Sequence, residues 1–265
     1  MKVSAMRRAL PAVIIIFIAI ISGVALYRHF KYGSSRLTGG YERPAGKDVL
    51  SVAIELSPMT YDPTTGDSVK GYDYELLSKI ARRHNLKIAY HPYTNVEEAL
   101  KGLDEGIYDV VVGDLTSTTD LRERGYVLTK DVYLDHQVLA QRLDSAGASP
   151  KIDAPQKLRL VDSIWVPSGI HYRRRMENLS AELGDSLHFV AAPGATSEHL
   201  AIAVAIGDIP YAVVSAEAAE IIQKDYPLLD LSTPISFNLF QTWAVAPGDS
   251  ALADSLNHWI DEAAD

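Results

Sequence analysis

The sequence predicts an α/β protein of two lobes, preceded by one apolar segment that would cross a membrane. Strand-like apolar runs alternate with amphipathic helical patterns from about residue 48 onward, which favours largely parallel sheets with helices packed on them. A stretch rich in Ser, Ala, Gly and Pro, 144–156, separates two halves of this pattern. Of the 265 residues 47% are hydrophobic, enough to form a core in each lobe.

The charge balance and the lack of cysteine exclude several classes of protein. Lys and Arg number 25 against 34 Asp and Glu, which gives a net charge of −9. A protein that binds nucleic acid needs a basic face, so nucleic acid is not an expected partner. Without cysteine there is no disulfide scaffold, thiolate metal site, cysteine nucleophile or lipid-modified N-terminal cysteine.

The N-terminal residues predict the compartment. Residues 1–8 carry only basic charges and form a predicted cytoplasmic tail, whereas residues 9–27 carry no charge. As a helix the uncharged segment would span about 28 Å, close to the roughly 30 Å of bilayer hydrocarbon. We interpret 9–27 as a signal anchor that holds the folded part in the periplasm, single-pass in a bacterial inner membrane. The alternative is a signal peptide cleaved near Gly23-Val24-Ala25, which releases the domain to the periplasm.

The first half of the folded part begins after a polar, turn-rich linker, 28–47. The alternation of Leu50, Val52 and Ile54 is typical of a strand. A helix with one apolar face is predicted over 73–84. The other predicted elements of this half are a strand at 87–90, a helix from a capping box at Asn95 and Glu98 to about Glu105, a strand at 109–113, and a helix capped by Thr119 or Asp120.

The second half repeats this alternation. Its predicted strands are 163–166, 187–191, 211–214 and 242–246. Its predicted helices are 168–183, one capped by Ser197 that stops at Gly207, 216–225, and 249–262.

A search for catalytic motifs finds none. The sequence has no G-x-S-x-G, H-E-x-x-H, Walker loop or G-x-G-x-x-G pattern. The eight histidines are scattered, and no pair lies at i, i+4 beside a suitable acid. We therefore assign no catalytic residue and expect neither a metal nor another cofactor.

Three stretches place small or hydroxyl-bearing residues where a strand runs into a helix: 71–77, 106–122 and 166–172. Free amides and the helix dipole at such places favour a carboxylate. Arg122 adds a planar guanidinium that can bind a carboxylate through two hydrogen bonds. Each stretch by itself is a weak indication, and a Thr-rich cap followed by Arg is more often an ordinary solvated helix start.

In this order the stretches resemble the family 3 extracellular solute-binding proteins, which have the type II periplasmic-binding fold. The resemblance covers about 48–262 and includes Gly71-Tyr72-Asp73-Tyr74-Glu75, Thr119-x-x-Arg122 and Ser168-Gly169-Ile170. It implies two lobes that close over a ligand by a hinge motion. The implied boundaries are 48–140 plus 241–265 for lobe 1 and 141–240 for lobe 2, with hinge strands near 137–141 and 241–245.

The resemblance also implies how a ligand is held. Arg122 would bind the ligand carboxylate, helped by Thr119 and Ser117. The second lobe would complete the anion site with the start of a helix: Ser168, Gly169 and Ile170.

Two further positions bear on the kind of ligand. Tyr61 would line the side-chain pocket, with a place in the core under the first loop as the alternative. Amino-acid binders of the family carry an acid that holds the ligand ammonium at the position where this chain has Ser215. Its absence weakens the case for a free amino acid and leaves a peptide, a muropeptide fragment or a non-amino acid open. Glu217, two residues on, is either its substitute or, as we favour, a solvated helix residue.

Within the family the chain is most similar to the N-terminal, non-catalytic domain of membrane-bound lytic transglycosylase F, for example in 93–100, 226–230 and 243–245. Those enzymes continue into a catalytic domain, so we expect no catalytic activity from this chain.

The predicted function is a membrane-anchored binding module for a small carboxylate-bearing ligand (amino acid, peptide or muropeptide) that regulates cell-wall turnover or transport with a transglycosylase or transporter partner. Two alternatives stay open. One is a periplasmic dehydratase of the cyclohexadienyl type, with Glu75, Asp114 or Glu217 as proton donor. The other is a degenerate interaction module that binds no small molecule.

Overall fold

The computed structural model describes residues 49–63, 68–143 and 150–264. Within them the α-helices are α1 (Tyr72–His84), α2 (Val96–Asp104), α3 (Thr119–Glu123), α4 (Ile170–Leu183), α5 (Ser197–Ile206), α6 (Ala216–Gln223) and α7 (Ser250–Ala264). The strands are β1 (Leu50–Glu55), β2 (Ile88–Tyr93), β3 (Val110–Val112), β4 (Val127–Leu128), β5 (Tyr133–Asp135), β6 (Gln137–Arg142), β7 (Ile164–Pro167), β8 (Phe189–Ala192), β9 (Tyr211–Ser215), β10 (Leu229–Pro234), β11 (Leu239–Gln241) and β12 (Ala244–Val245). A 3₁₀-helix covers Pro155–Leu160.

The first lobe is built on a sheet with the strand order β2-β1-β3-β12-β4. Strands β1 and β3 are parallel, with Val52 opposite Val110, and their central residues are fully buried. Such apolar runs are typical of strands covered on both faces. β12 arrives from the far end of the chain and pairs antiparallel with β3 and β4, so the sheet is mixed.

The second lobe is built on a sheet with the strand order β10-β6-β9-β7-β8. β7 is parallel to β8 and β9, whereas β6 is antiparallel to β9 and β10. Side chains alternate across this sheet. Leu139 lies in the core that contains Tyr172 of α4, and its neighbour Val138 lies in the core that contains Leu200 of α5.

A two-stranded antiparallel ribbon, β5 with β11, connects the two sheets. The chain passes along β5 into the second sheet and returns along β11 to the first, as expected of a hinge. The two faces of the ribbon differ in exposure. Asp135 and Gln241 lie on its buried face, whereas Leu134 and Phe240 lie on its exposed face. The predicted hinge strand 137–141 lies wholly in the second sheet as β6.

Two helix caps differ from the prediction by one residue. Thr118, not Thr119 or Asp120, caps α3 and accepts a hydrogen bond from the Leu121 amide at 3.4 Å. Thr196, not Ser197, caps α5 and forms a capping box with His199. In both cases the sequence offers two or more adjacent residues that suit a cap, and local pattern alone does not choose between them.

The predicted connection 144–156 contributes to the second core over its described part. Ile152 is completely buried, and the side-chain amide of Gln141 hydrogen-bonds both the Ile152 amide, at 2.8 Å, and the Ile152 carbonyl, at 2.6 Å. Composition predicted a linker between the lobes, but these residues pack against the second sheet.

Gly71 fixes the start of α1. Its φ is +121°, and a Cβ there would lie 2.3 Å from the Thr60 carbonyl oxygen. We expect Gly71→Ala to lower the free energy of unfolding by about 2–3 kcal/mol, because backbone strain and a clash with main chain combine. Denaturant unfolding checks this, with Gly184→Ala as control, because that φ is +63° and no atom lies within 4 Å of the added Cβ. Equal losses in the two variants would show that the clash contributes nothing.

No helix in the described ranges is both long enough and apolar enough to cross a membrane. The predicted tail, signal anchor and linker, 1–8, 9–27 and 28–47, lie outside those ranges and stay predictions.

Candidate ligand-binding cleft

A small cavity lies between the lobes and takes side chains from both. Its volume is about 10 Å³, room for roughly one water molecule. Glu55 ends β1 and Asp114 follows β3, so these two parallel strands present both carboxyl groups at one sheet edge. The lining residues are Glu55, Ser57, Met59, Thr60 and Asp114 of the first lobe, Tyr133 of the ribbon, and Ser197, Glu198, Ser215 and Ala218 of the second lobe.

Glu55 is a buried carboxyl group beside other acids. Its Oε2 accepts a hydrogen bond from the Asp114 amide at 2.8 Å. Burial, and then repulsion from Asp114 and Glu198, raises the pKa of Glu55 well above its ordinary value. Burial likewise raises the pKa of Glu198. The cavity therefore holds carboxyl groups that resist ionisation in their present surroundings.

Asp114 joins the two lobes from inside the cleft. One carboxylate oxygen lies 3.4 Å from Nε2 of His171, and the other accepts a hydrogen bond from the Tyr172 hydroxyl. Burial opposes the ionisation of Asp114, but attraction to His171 and the hydrogen bond from Tyr172 outweigh it and lower the pKa. Since His171 and Tyr172 lie in the first turn of α4, a carboxylate of the first lobe contacts two side chains of that turn.

A second ion pair joins the lobes at the surface. Arg174 of α4 contacts Asp120 of α3 through two nitrogens, with Nη2 at 2.6 Å and Nε at 3.1 Å from Oδ1. Half of the Arg174 side chain is exposed, so solvent screens this pair more than the contact of Asp114.

Asp135 places a further acid beside the cleft from the hinge ribbon. Its Oδ1 accepts hydrogen bonds from the amides of His136, at 2.7 Å, and Glu217, at 3.2 Å, at the start of α6. The hydroxyl of Ser215 also hydrogen-bonds it. Burial, followed by repulsion from Asp114, raises the pKa of Asp135 to about 6.

The predicted residues of the first lobe lie around α3. Arg122 and Ser117 are together, because Arg122 Nη2 donates to Ser117 Oγ at 2.7 Å, and Thr119 begins the helix beside them. Arg122 and Thr119 are exposed. The Ser117 amide donates to the Phe240 carbonyl at 2.9 Å and so is engaged with the hinge ribbon.

The predicted residues of the second lobe lie at two helix starts. Gly169 caps α4, Ile170 begins it and Ser168 precedes it. Ser215 caps α6, with Oγ accepting from the Ala218 amide at 3.2 Å, and it also lines the cavity.

Tyr61 lies apart from the other predicted residues. Its ring centroid is 5.5 Å from that of Tyr74 and 5.8 Å from that of Tyr90, so it belongs to an aromatic cluster of the first lobe. Its neighbours Met59 and Thr60 line the cavity instead.

Glu55, Glu198 and Asp135 were not singled out from the sequence. A carboxylate that ends a buried strand could have pointed to Glu55. Glu198 looks like an ordinary acid in the first turn of a helix, and Asp135 belongs to a three-residue strand, so neither has a distinctive local pattern. Of the proton donors considered for a dehydratase, Asp114 lines the cavity, whereas Glu75 and Glu217 are exposed.

The comparisons with known proteins agree with this architecture. The profile of the bacterial extracellular solute-binding proteins, family 3, matches residues 50–265. The membrane-bound lytic murein transglycosylase F of Shewanella woodyi is 26% identical over 221 residues, which is 83% of this chain and 44% of that protein. The protein of that name from Shewanella sediminis is 26% identical over 218 residues, 82% of this chain and 44% of its own length. The chain thus spans less than half the length of these relatives.

Solved structures show the same two-lobed, mixed α/β fold of periplasmic binding proteins. An ancestral arginine-binding protein bound to arginine superposes with a TM-score of 0.68 at 17% identity, covering 82% of this chain and 92% of that one. Holo ArgBP from T. maritima superposes with a TM-score of 0.65 at 20% identity, covering 81% and 90%.

Proposed function

Because the chain belongs to the bacterial extracellular solute-binding proteins of family 3, we propose that it is a non-catalytic periplasmic module that closes over a small carboxylate-bearing ligand. The observation that carries the proposal is the interlobe cavity, which both lobes line with polar side chains. An amino acid, a peptide and a muropeptide all have the required carboxylate. Structural neighbours named for arginine binding support an amino-acid-like ligand. Attachment to the inner membrane through 9–27 is part of the proposal.

The proposed binding cycle uses the contacts between the lobes. Opening breaks the buried contact of Asp114 with α4 and the surface pair of Asp120 with Arg174. The ligand carboxylate then takes the position of the Asp114 carboxylate at the start of α4, near Ser168, Gly169 and Ile170. Arg122, with Ser117 and Thr119, approaches the same carboxylate from the first lobe.

Thermal unfolding of the purified chain with amino acids, short peptides and muropeptides tests the proposal. A ligand at 100 times its Kd stabilises the protein by about 2.7 kcal/mol. For a domain of this size that raises the midpoint by roughly 5–10 °C. The absence of a shift with every compound would contradict the proposal and favour the degenerate interaction module.

Arg122→Ala should weaken binding of the identified ligand by at least about 2 kcal/mol, roughly 30-fold in Kd, because the carboxylate loses its charged partner. Isothermal titration measures the change. Arg159→Ala, which removes an exposed arginine of the second lobe, is the matched control and should bind as the wild type does. An unchanged Kd in Arg122→Ala would remove Arg122 from the site.

One observation supports the dehydratase alternative. Glu55 is a cavity carboxyl group whose raised pKa suits a proton donor. Turnover of prephenate or arogenate by the purified chain, abolished in Glu55→Gln, would replace the binding proposal with a catalytic one.

The last part of the proposal concerns the process that the module regulates. The relatives named as lytic transglycosylases support regulation of cell-wall turnover through a transglycosylase partner, and the family supports a transporter partner as the alternative. Purification from membranes with and without the identified ligand would test this. A partner that is captured equally in both conditions would argue against regulation by the ligand.

A further inference from the structure

The interlobe cavity brings carboxyl groups of opposite lobes together. Glu55 and Asp114 line it from the first lobe, and Glu198 lines it from the second. None of the described lining residues is Lys, Arg or His. With room for roughly one water molecule, the cavity holds little solvent to weaken the repulsion between these groups. Negative charge on both glutamates therefore opposes the contact between the lobes.

The surroundings of Glu198 depend on the closed arrangement of the lobes. It lies in the first turn of α5, is 5% exposed, and hydrogen-bonds Ser57 of the first lobe. Burial raises the pKa of Glu198, and repulsion from Asp114 of the first lobe acts in the same direction. Opening of the lobes would separate Glu198 from Ser57 and Asp114 and return its carboxyl group to water.

Glu55 is affected by closure from the first lobe. Burial raises its pKa well above the ordinary value, and repulsion from Asp114 and Glu198 adds to the effect. Because Glu198 belongs to the second lobe, its repulsion exists only while the lobes are together. In an open cleft water would solvate both glutamates, so their pKa values would fall back toward that of an exposed glutamate.

The other titratable groups near this pair have different roles. Asp114 is held ionised, because attraction to His171 and the hydrogen bond from Tyr172 lower its pKa. Asp73 has its partner, Trp243, within the first lobe, so this hydrogen bond does not depend on the second lobe. The groups that face Glu55, Glu198 or Asp114 from the surrounding elements are Asp73 of α1, Tyr93 of β2, Tyr133 and Asp135 of the ribbon, and His171 and Tyr172 of α4.

We propose that Glu55 and Glu198 form a pH-dependent switch of the cleft, in which the closed lobes keep protons on this pair and the loss of these protons opens the cleft to the ligand. This inference rests on the hinge motion of the proposed function and adds control by pH.

The direction of the pH effect follows from the protons bound in each form. Between the ordinary pKa of glutamate and the raised pKa values of Glu55 and Glu198, the closed form holds protons that the open form has released. Closure is therefore favoured at low pH and weakens as the pH rises through the raised values. Each proton released changes the closed-to-open ratio by up to about tenfold per pH unit.

The distance across the rim of the cleft measures the switch. Thr94 of the first lobe approaches Gly194 of the second, where an added Cβ would lie 3.8 Å from Thr94 Oγ1. Pro92 and Pro193 are exposed and close in sequence to this contact, and the chain has no cysteine of its own. Spin labels on Pro92→Cys and Pro193→Cys of the purified full-length chain would therefore report opening by pulsed electron paramagnetic resonance.

Without ligand, the longer distance should gain population between pH 5 and pH 8. Glu55→Gln and Glu198→Gln keep the size of the side chain but cannot ionise, so each should delay opening by at least about one pH unit, and the double variant should stay closed across the range. Glu220→Gln, at an exposed position of α6, is the matched control and should open as the labelled parent does. Circular dichroism at each pH distinguishes opening from unfolding.

Three other outcomes separate this inference from the proposed function. A distance that is independent of pH in the labelled parent would overturn the switch and leave the proposed binding function as it stands. Opening of the double variant at the same pH as the parent would also overturn the switch and would assign the pH dependence to another group, such as His171. Opening with pH in a protein that no carboxylate stabilises against heat would support the switch and contradict the proposed function.

Discussion

Asp73→Asn should raise the free energy of unfolding at pH 7.5 by about 3–4 kcal/mol and change it little at pH 4. Asp73 lies in the first turn of α1 and is completely buried, with Oδ1 accepting from Trp243 Nε1 at 2.8 Å. Burial raises its pKa from 3.8 to about 7, and the hydrogen bond from Trp243 offsets only part of that effect. A shift of about three pKa units corresponds to roughly 4 kcal/mol.

The sign follows from the protons bound in each state. Above pH 4 the unfolded chain releases the Asp73 proton, whereas the folded chain keeps it until about pH 7. The unfolded state therefore binds fewer protons in this range, and the contribution of Asp73 to stability falls as the pH rises. Asparagine has nearly the same shape, can still accept from Trp243 and does not ionise.

Denaturant unfolding of wild type and variant at several pH values between 4 and 7.5 measures the difference curve. Asp254→Asn, at an exposed position of α7, is the control and should give a flat difference. A flat difference for Asp73→Asn as well would mean that Asp73 is ionised in the folded protein throughout this range.

The burial of Asp73 is a feature of the fold that could not be predicted from the sequence. An acid in the first turn of a helix normally interacts favourably with the helix dipole in solvent. Its burial depends on Trp243, which lies 170 residues away in sequence, and no local pattern carries that contact. By contrast, β1 was predictable from the alternation of Leu50, Val52 and Ile54, and β3 from an unbroken apolar run; both patterns are local.

In the hinge ribbon and the cleft, too, features set by local sequence could be predicted, whereas features set by long-range contacts could not. β11 has three residues and pairs with β5 about one hundred positions earlier, so a local apolar period could not predict it. Arg122 and Ser117 are five residues apart in sequence, so their contact could be predicted from local structure alone. Gln241 lies opposite Tyr133 only because the two hinge strands pair, and this pairing could not be predicted from either segment alone.

Asp114→Ala should lower the free energy of unfolding at pH 7 by about 3 kcal/mol, because it leaves His171 and the Tyr172 hydroxyl buried without their carboxylate partner. Asp120→Ala, which removes the partner of the exposed Arg174, is the matched control and should cost less than about 1 kcal/mol. The pKa of Asp114 is lowered in the folded protein, so its stabilising contribution is present above the ordinary pKa of aspartate and is lost as the pH falls through the folded pKa. The difference in unfolding free energy between wild type and Asp114→Ala should therefore be full at pH 7 and should narrow as the pH is lowered below the ordinary pKa of aspartate.

The same variant should bind a carboxylate more tightly although it is less stable. Under the proposed function a ligand carboxylate must displace Asp114 from the start of α4, and this competition costs wild-type affinity. N-acetyl-L-alanine, a carboxylate without a cationic group, should raise the melting temperature of Asp114→Ala by more than that of the wild type or Asp120→Ala. A residue that only held the lobes together would instead lower both stability and affinity when removed. The opposite directions of the two effects are therefore what would identify Asp114 as an internal competitor of the ligand.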